Sequence, residues 1–145
     1  MRIRQIERPE LEALAGCLAD AWIEDFRRQV SNLPEAPWSR MLIAEEGMRP
    51  RALLAMELRW TPGGSLKGAT ICAIEVAPAH GGRGIGSRLV RFAEGIARIR
   101  GCFLIDVVQG LETWGRGHCW PALGYGNLET GLSKRLESPI FGTCH

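Results

Sequence analysis

Apolar residues recur along this chain with two periods, and the switches between them mark its elements. Residues 1–8 interrupt Ile3 and Ile6 with charge and predict a short edge strand. After Pro9, Leu11, Leu14, Leu18, Trp22 and Phe26 follow helical spacing, predicting one amphipathic helix. The pattern breaks over 27–39, where Ser31-Asn32-Leu33-Pro34 and Pro37 fit either a loop or a short second helix. Met41-Leu42-Ile43-Ala44 and residues 52–60, separated by a polar turn over 45–50, predict two strands in an antiparallel hairpin. A second turn over 61–65 leads to residues 69–76, whose nearly continuous apolar run suits a central strand covered on both faces. Pro78 stops that strand. Beyond a run of glycines, a helix is predicted with Ile85, Leu89, Phe92, Ala93 and Ile96 on its buried face and Arg88, Arg91, Glu94 and Arg98 opposite. Gly101 ends it, and residues 102–108 form another buried strand, parallel to the previous one because a helix lies between them. A weak helix over 111–123 and an extended tail over 125–136, short for two full strands, complete the reading. The class is α/β (α+β), with antiparallel N-terminal strands, a parallel βαβ crossover and flanking helices.

Composition narrows what such a domain does. With 145 residues and 46% hydrophobic content, the chain suffices for one well-packed core, so a single domain over 1–145 is expected. The net charge is +2, and basic residues are interspersed with acids, which argues against a nucleic-acid partner. No stretch approaches the roughly 20 apolar residues of a membrane span, so a cytoplasmic protein with no membrane partner is expected. Five widely spaced cysteines without a C-x-x-C pair fit neither a disulfide framework nor a zinc site, and no metal is expected; four lie in apolar runs and read as buried thiols.

The glycines at 81, 82, 84 and 86 stand between a buried strand and a helix. They permit a sharp turn and leave the amides of the helix start open to an anion, with Arg83 and Arg88 adding charge. A phosphate-binding P-loop requires Lys-Ser/Thr after its last glycine, whereas Gly86 precedes Ser87-Arg88. A G-x-G-x-x-G fingerprint also fails: counted from Gly82 its third position is Ser87, and counted from Gly84 it is Leu89.

The stretch Val76-Ala77-Pro78-Ala79-His80-Gly81-Gly82-Arg83-Gly84-Ile85-Gly86-Ser87-Arg88-Leu89-Val90 resembles the coenzyme A signature of the GNAT superfamily of N-acetyltransferases. The order of elements matches that family over most of the chain, and Trp120-Pro121-Ala122-Leu123-Gly124-Tyr125 is similar to its later Tyr-x-x-x-Gly-Phe segment. The resemblance implies the GNAT fold and transfer of an acetyl group from acetyl-CoA to a primary amine by direct attack on the thioester. It implies that Gly82, Arg83, Gly84, Ile85, Gly86, Ser87 and Arg88 receive the pyrophosphate, while Val76 and Ala77 contact the pantetheine arm and polarise the thioester carbonyl. A small-molecule or peptide amine is the implied acceptor, and small members of the family often pair as homodimers. Gly81 and Trp120 depart from the pattern, standing where a Gln/Arg and a proton-donating Tyr are usual. Two other functions therefore stay open: a regulatory module that binds acyl-CoA with little transfer, and an acyltransferase for a non-acetyl thioester.

Three residues are candidates for the proton transfers. Glu75 is a carboxylate within an apolar strand beside the implied thioester; burial would raise its pKa toward that of a base, and a solvated or salt-bridged glutamate is the alternative. Trp120 occupies the acid position, although an indole is a poor acid, and Tyr125, the only tyrosine, is either a proton donor or core packing. Asp106 invites the same argument as Glu75, or pairs with an arginine. Trp38 is expected to line an acceptor pocket, His80 to touch phosphate or solvent, and His118-Cys119 to be structural.

Overall fold

The computed structural model describes residues 1–34, 36, 38–60, 67–78, 84–111, 119–128 and 131–136, without the side chains of residues 60, 119, 127 and 128. Among the described residues seven strands form one sheet in the order β1-β2-β3-β4-β5-β7-β6. These are β1 Arg2–Ile6, β2 Ser39–Glu46, β3 Arg49–Trp60, β4 Lys67–Val76, β5 Leu104–Val107, β6 Gly126–Leu128 and β7 Gly131–Arg135. Helices α1 (Arg8–Leu18) and α2 (Ala21–Val30) cover one face, while α3 (Ile85–Ile99) and the short α4 (Cys119–Ala122) cover the other. Among the described strands only β4 and β5 run parallel, joined through α3. The predicted class, hairpin and crossover are all present.

Strands β2 and β3 join through Gly47 and Met48, with φ of 53° and 72°, a two-residue type I′ connection whose twist suits a hairpin. Along β3 the alternation serves two cores at once. Leu53 and Ala55 pack toward α2, while Leu54 and Met56 pack toward α3. From α2, Trp22, Ile23, Phe26 and Val30 recur at helical spacing and are buried, each contributing about 1.5–3 kcal/mol of transfer free energy.

The expected single first helix is two. Ala19, at φ 51°, ends α1, and extended Asp20 starts α2. The break re-aims the apolar stripe, so Leu18 is left exposed while Trp22 and Ile23 turn inward together. In α3 the stripe is also rotated from the expected one: Phe92 is 41% exposed and Glu94 is 1% exposed. Its C-terminus is a Schellman cap, with Gly101 at φ 85° donating its N–H to Arg98 and Cys102 donating to Ala97. The weak helix expected over 111–123 is helical at Cys119–Ala122, residues 112–118 lying outside the described set. The tail that looked too short for two strands forms the β6–β7 hairpin, and β7 pairs with β5. Of the thiols, Cys102 is buried, Cys72 half-buried and Cys17 exposed, against the expectation of burial for Cys17.

Candidate active site

The site begins with a defect in the sheet. Ile71 pairs with Met56 and Ala73 with Ala55, so Cys72 is an extra residue in β4, a β-bulge. Strand β5 follows β4 only from Gly68 to Ile71, and the last bond between them runs from the Val108 N–H to the Ile71 carbonyl, 3.0 Å. Past the bulge, β4 continues to Val76 beyond the end of its pairing with β5. On its other edge the Ala77 N–H donates to the Arg51 carbonyl at 2.8 Å. An antiparallel ladder bonds alternate residues, so Glu75 and Ala77 turn their backbone groups to β3, and Ile74 and Val76 turn theirs into the gap. Of the two amides expected to polarise a thioester, Val76 is available and Ala77 is spent on Arg51; Ile74 is the second available amide.

The same end of β4 leads to the start of α3. Gly84, the N-cap, has φ 75°, a left-handed conformation that disfavours a side chain, and an ideal Cβ there would meet nothing within 4 Å. The first bond of the helix runs from the Arg88 N–H to the Gly84 carbonyl, 3.0 Å, so the amides of Ile85, Gly86 and Ser87 have no carbonyl within the helix to reach. Gly84 and Arg88 are exposed. Open amides, the positive end of the helix dipole and a cationic side chain converge on a surface that can take a phosphate group. Gly82, Arg83 and His80, assigned to the same turn, lie outside the described residues.

Against this gap lies a cleft of about 680 Å³ whose polar lining includes Gln29, Glu57, Thr70, Cys72, Glu75 and Gln109. Strand alternation carries Glu75 to the α2 side of the sheet, where Gln29 Nε2 donates to its Oε2 at 3.2 Å. Burial pushes the Glu75 pKa above the ordinary value, partly opposed by the Gln29 hydrogen bond. The Cys72 thiol points at Glu57 Oε1, 3.6 Å away, and burial followed by the charge of Glu57 pushes its pKa up to about 12, which keeps it a thiol. A second cavity, about 540 Å³, lies near Arg8, Arg40 and Arg100; none of the gap residues lines it.

Both aromatic acid candidates are in the core. Trp120 is 0% exposed and its indole N–H donates to the Leu111 carbonyl at 2.7 Å. Tyr125, 3% exposed, packs edge-on against Trp120 and donates its hydroxyl to Glu94 Oε2 at 2.8 Å. Burial, then the charge of Glu94, drives the tyrosine pKa well above its ordinary value. Neither side chain presents a proton to the cleft, so neither fits the acid role the sequence offered. Trp120→Tyr is accordingly expected to lose about 2 kcal/mol in denaturant unfolding and to produce no gain in turnover, because a smaller ring and a displaced donor replace a satisfied one. Asp106 accepts a hydrogen bond from Arg59 at 2.7 Å, the arginine pairing weighed for it. Trp38, 42% exposed, does not line the cleft. Conversely, Glu57, Gln29 and Cys72 escaped the sequence reading: each sits in an ordinary polar or apolar slot of its element, and only the bulge and α2 bring them together.

Residues 2–113 match the model of the acetyltransferase (GNAT) family, and the chain belongs to that family and is an acyltransferase. Among solved structures, a transcriptional regulator from Bacillus halodurans C-125 superposes with a TM-score of 0.67 at 24% identity, over 90% of this chain and 96% of that one. The aminoglycoside 6'-N-acetyltransferase AAC(6')-IG from Acinetobacter haemolyticus superposes at 0.66 with 19% identity, over 89% and 93%. The NatB acetyltransferase complex bound to CoA and MES gives 0.63 at 14% identity, over 94% and 99%. At these identities the likeness is one of fold. Among curated proteins none matches this sequence.

Among the described residues no helix is long and apolar enough to cross a membrane, and no group of three His, Cys, Asp or Glu is arranged to hold a metal.

Proposed function

We propose that this chain transfers an acetyl group from acetyl-CoA to a primary amine by direct attack on the thioester. The observation that carries the reading is the gap beyond the Cys72 bulge, where β5 no longer pairs with β4, with the Ile74 and Val76 amides turned into it and Glu75 on the adjoining cleft wall. The pyrophosphate sits on the amides of Gly84, Ile85, Gly86 and Ser87, with Arg88 alongside and Gly82 and Arg83 contributing from the preceding turn. The pantetheine arm lies along Val76 as a surrogate for the missing stretch of β5, while Ala77 anchors the strand end through Arg51. In that position the thioester oxygen accepts from β4 amides that are already aligned, which stabilises the oxyanion as it forms.

The amine nitrogen attacks the carbonyl carbon, the C–N bond forms, the C–S bond breaks and coenzyme A leaves as the thiolate. Glu75 takes the proton shed by the nitrogen. A carboxylate with a raised pKa is a better proton acceptor than an ordinary glutamate, and this site raises it by burial. The thiolate takes its proton from solvent, since Trp120 and Tyr125 are buried.

The test is steady-state turnover with acetyl-, propionyl- and succinyl-CoA against a panel of amines. Glu75→Gln is expected to lower kcat about 100-fold with little change in the affinity for coenzyme A. The wild-type kcat/KM should rise with pH along a limb lying above 4.5, the ordinary glutamate value, as Glu75 deprotonates. That limb disappears in the variant. An unchanged limb would remove Glu75 from the reaction, and preference for a longer acyl group would replace acetyl as the transferred unit.

A further inference from the structure

The carboxylates of this protein are not paired evenly. Glu10 and Glu45 share Arg4; Glu12 and Glu24 share Arg27; Asp25 pairs with Arg28, Glu46 with Arg51, Asp106 with Arg59, and Glu94 with Lys134. Glu7 and Asp20 are exposed at helix starts, where water and the helix dipole serve them. The two described carboxylates that are half-buried and receive only neutral donors are Glu57 and Glu75, and both line the same cleft. Glu57 receives the Cys72 thiol, a weak donor, and Glu75 receives the Gln29 amide. Arg59, the cation on the cleft wall, is held by Asp106. A half-buried carboxylate without a cation is costly to desolvate, and a cationic ligand removes that cost.

The two are also set apart along the cleft. Glu75 lies opposite Leu53, and Glu57 is four residues further along β3, a displacement of about 13 Å at the rise of an extended strand. Leu33, Ile74, Val108 and Leu111 give the same cleft an apolar lining suited to a hydrocarbon spacer.

We propose that the acceptor is a linear aliphatic di- or polyamine, whose reacting nitrogen meets Glu75 while a second ammonium group is held by Glu57. The proposal rests on the acyl-transfer reading above and names the acceptor class for that site. Glu57 acts as a specificity determinant: it holds the far end of the acceptor, sets which chain lengths reach the thioester, and takes no proton in the reaction.

The test uses binding first, so that it does not depend on turnover. Diaminooctane and octylamine, equal in hydrocarbon length, are titrated calorimetrically into the full chain in the presence of coenzyme A, for the wild type, Glu57→Gln and Glu57→Asp. The wild type should bind the diamine at least tenfold more tightly than the monoamine, and Glu57→Gln should bring that ratio close to one. Glu57→Asp, which retracts the carboxylate by one methylene, should keep a preference for diamines and move its optimum toward the longer diaminodecane. Equal affinity for the two amines in the wild type, or a preference that survives Glu57→Gln, overturns the proposal. Adding acetyl-CoA then separates the two readings. Diamine preference without acetylated product removes the transfer reaction alone, whereas product formed equally well from both amines removes the acceptor class alone.

Discussion

Replacing Gly84 with glutamate is expected to raise the dissociation constant for acetyl-CoA at least 100-fold, a loss of about 2.7 kcal/mol. Two effects combine. The left-handed backbone at φ 75° costs a residue with a Cβ about 1–2 kcal/mol, and a carboxylate set before the amides of Ile85, Gly86 and Ser87 occupies the anion site with the wrong charge. The fold should survive, since nothing lies within 4 Å of the added Cβ. Gly84→Ala carries the same backbone strain without the charge, and comparing the two by calorimetry and thermal unfolding separates strain from electrostatics. A large loss confined to glutamate establishes the helix start as the diphosphate site; equal binding by the wild type and Gly84→Glu would place the coenzyme elsewhere.

Glu94→Ala should have the largest effect on stability, about 3–5 kcal/mol, because it leaves Lys134 and the Tyr125 hydroxyl without their shared carboxylate inside the core. Lys134 Nζ reaches Glu94 Oε1 at 3.0 Å and the Leu123 carbonyl at 2.7 Å, tying β7 and the segment before β6 to the middle of α3. Thermal unfolding should show a fall in Tm of roughly 10–15 °C. By contrast, Arg27→Ala, which removes exposed, solvent-screened pairs with Glu12 and Glu24, should leave the thermal midpoint nearly unchanged. The Tyr125 hydroxyl adds a pH signature. Its pKa is raised in the folded state, so the stability it confers is complete below pH 10, the ordinary tyrosine value, and is lost as pH rises above it. In Glu94→Ala that alkaline loss should be smaller, as burial remains and the carboxylate's contribution goes. A cost below 1 kcal/mol for Glu94→Ala would mean that the core accommodates Lys134 by another route.

Much of this was legible in the sequence because it is written locally. The run over 69–76 identified β4 as the middle strand, Gly101 identified the end of α3, and the glycines before Ile85 identified an open helix start, each from residues within a few positions of one another. Local rules could also mislead. Apolar spacing ran through Leu18 toward Trp22, yet a left-handed Ala19 splits the helix, since a periodic pattern does not report one turned residue. Glu94 read as a surface residue from its charge, yet it is buried because Lys134, 40 positions away, comes to it.

The sequence by itself determined the class of fold, the parallel crossover and the glycine-capped start of α3, because secondary-structure periods and glycine conformations depend on near neighbours. Only the tertiary structure decided which side chains come together in the cleft. The bulge at Cys72 exists through pairing with β3, the gap exists because β5 ends its pairing at Ile71, and Glu57 and Glu75 share a cleft because β3 and β4 are in register and α2 lies across them. The burial of Trp120 and Tyr125, which withdraws both from proton transfer, likewise follows from packing against α3 and from partners distant in the chain. Registers and long-range partners are properties of the assembled sheet, and no local pattern in the chain encodes them.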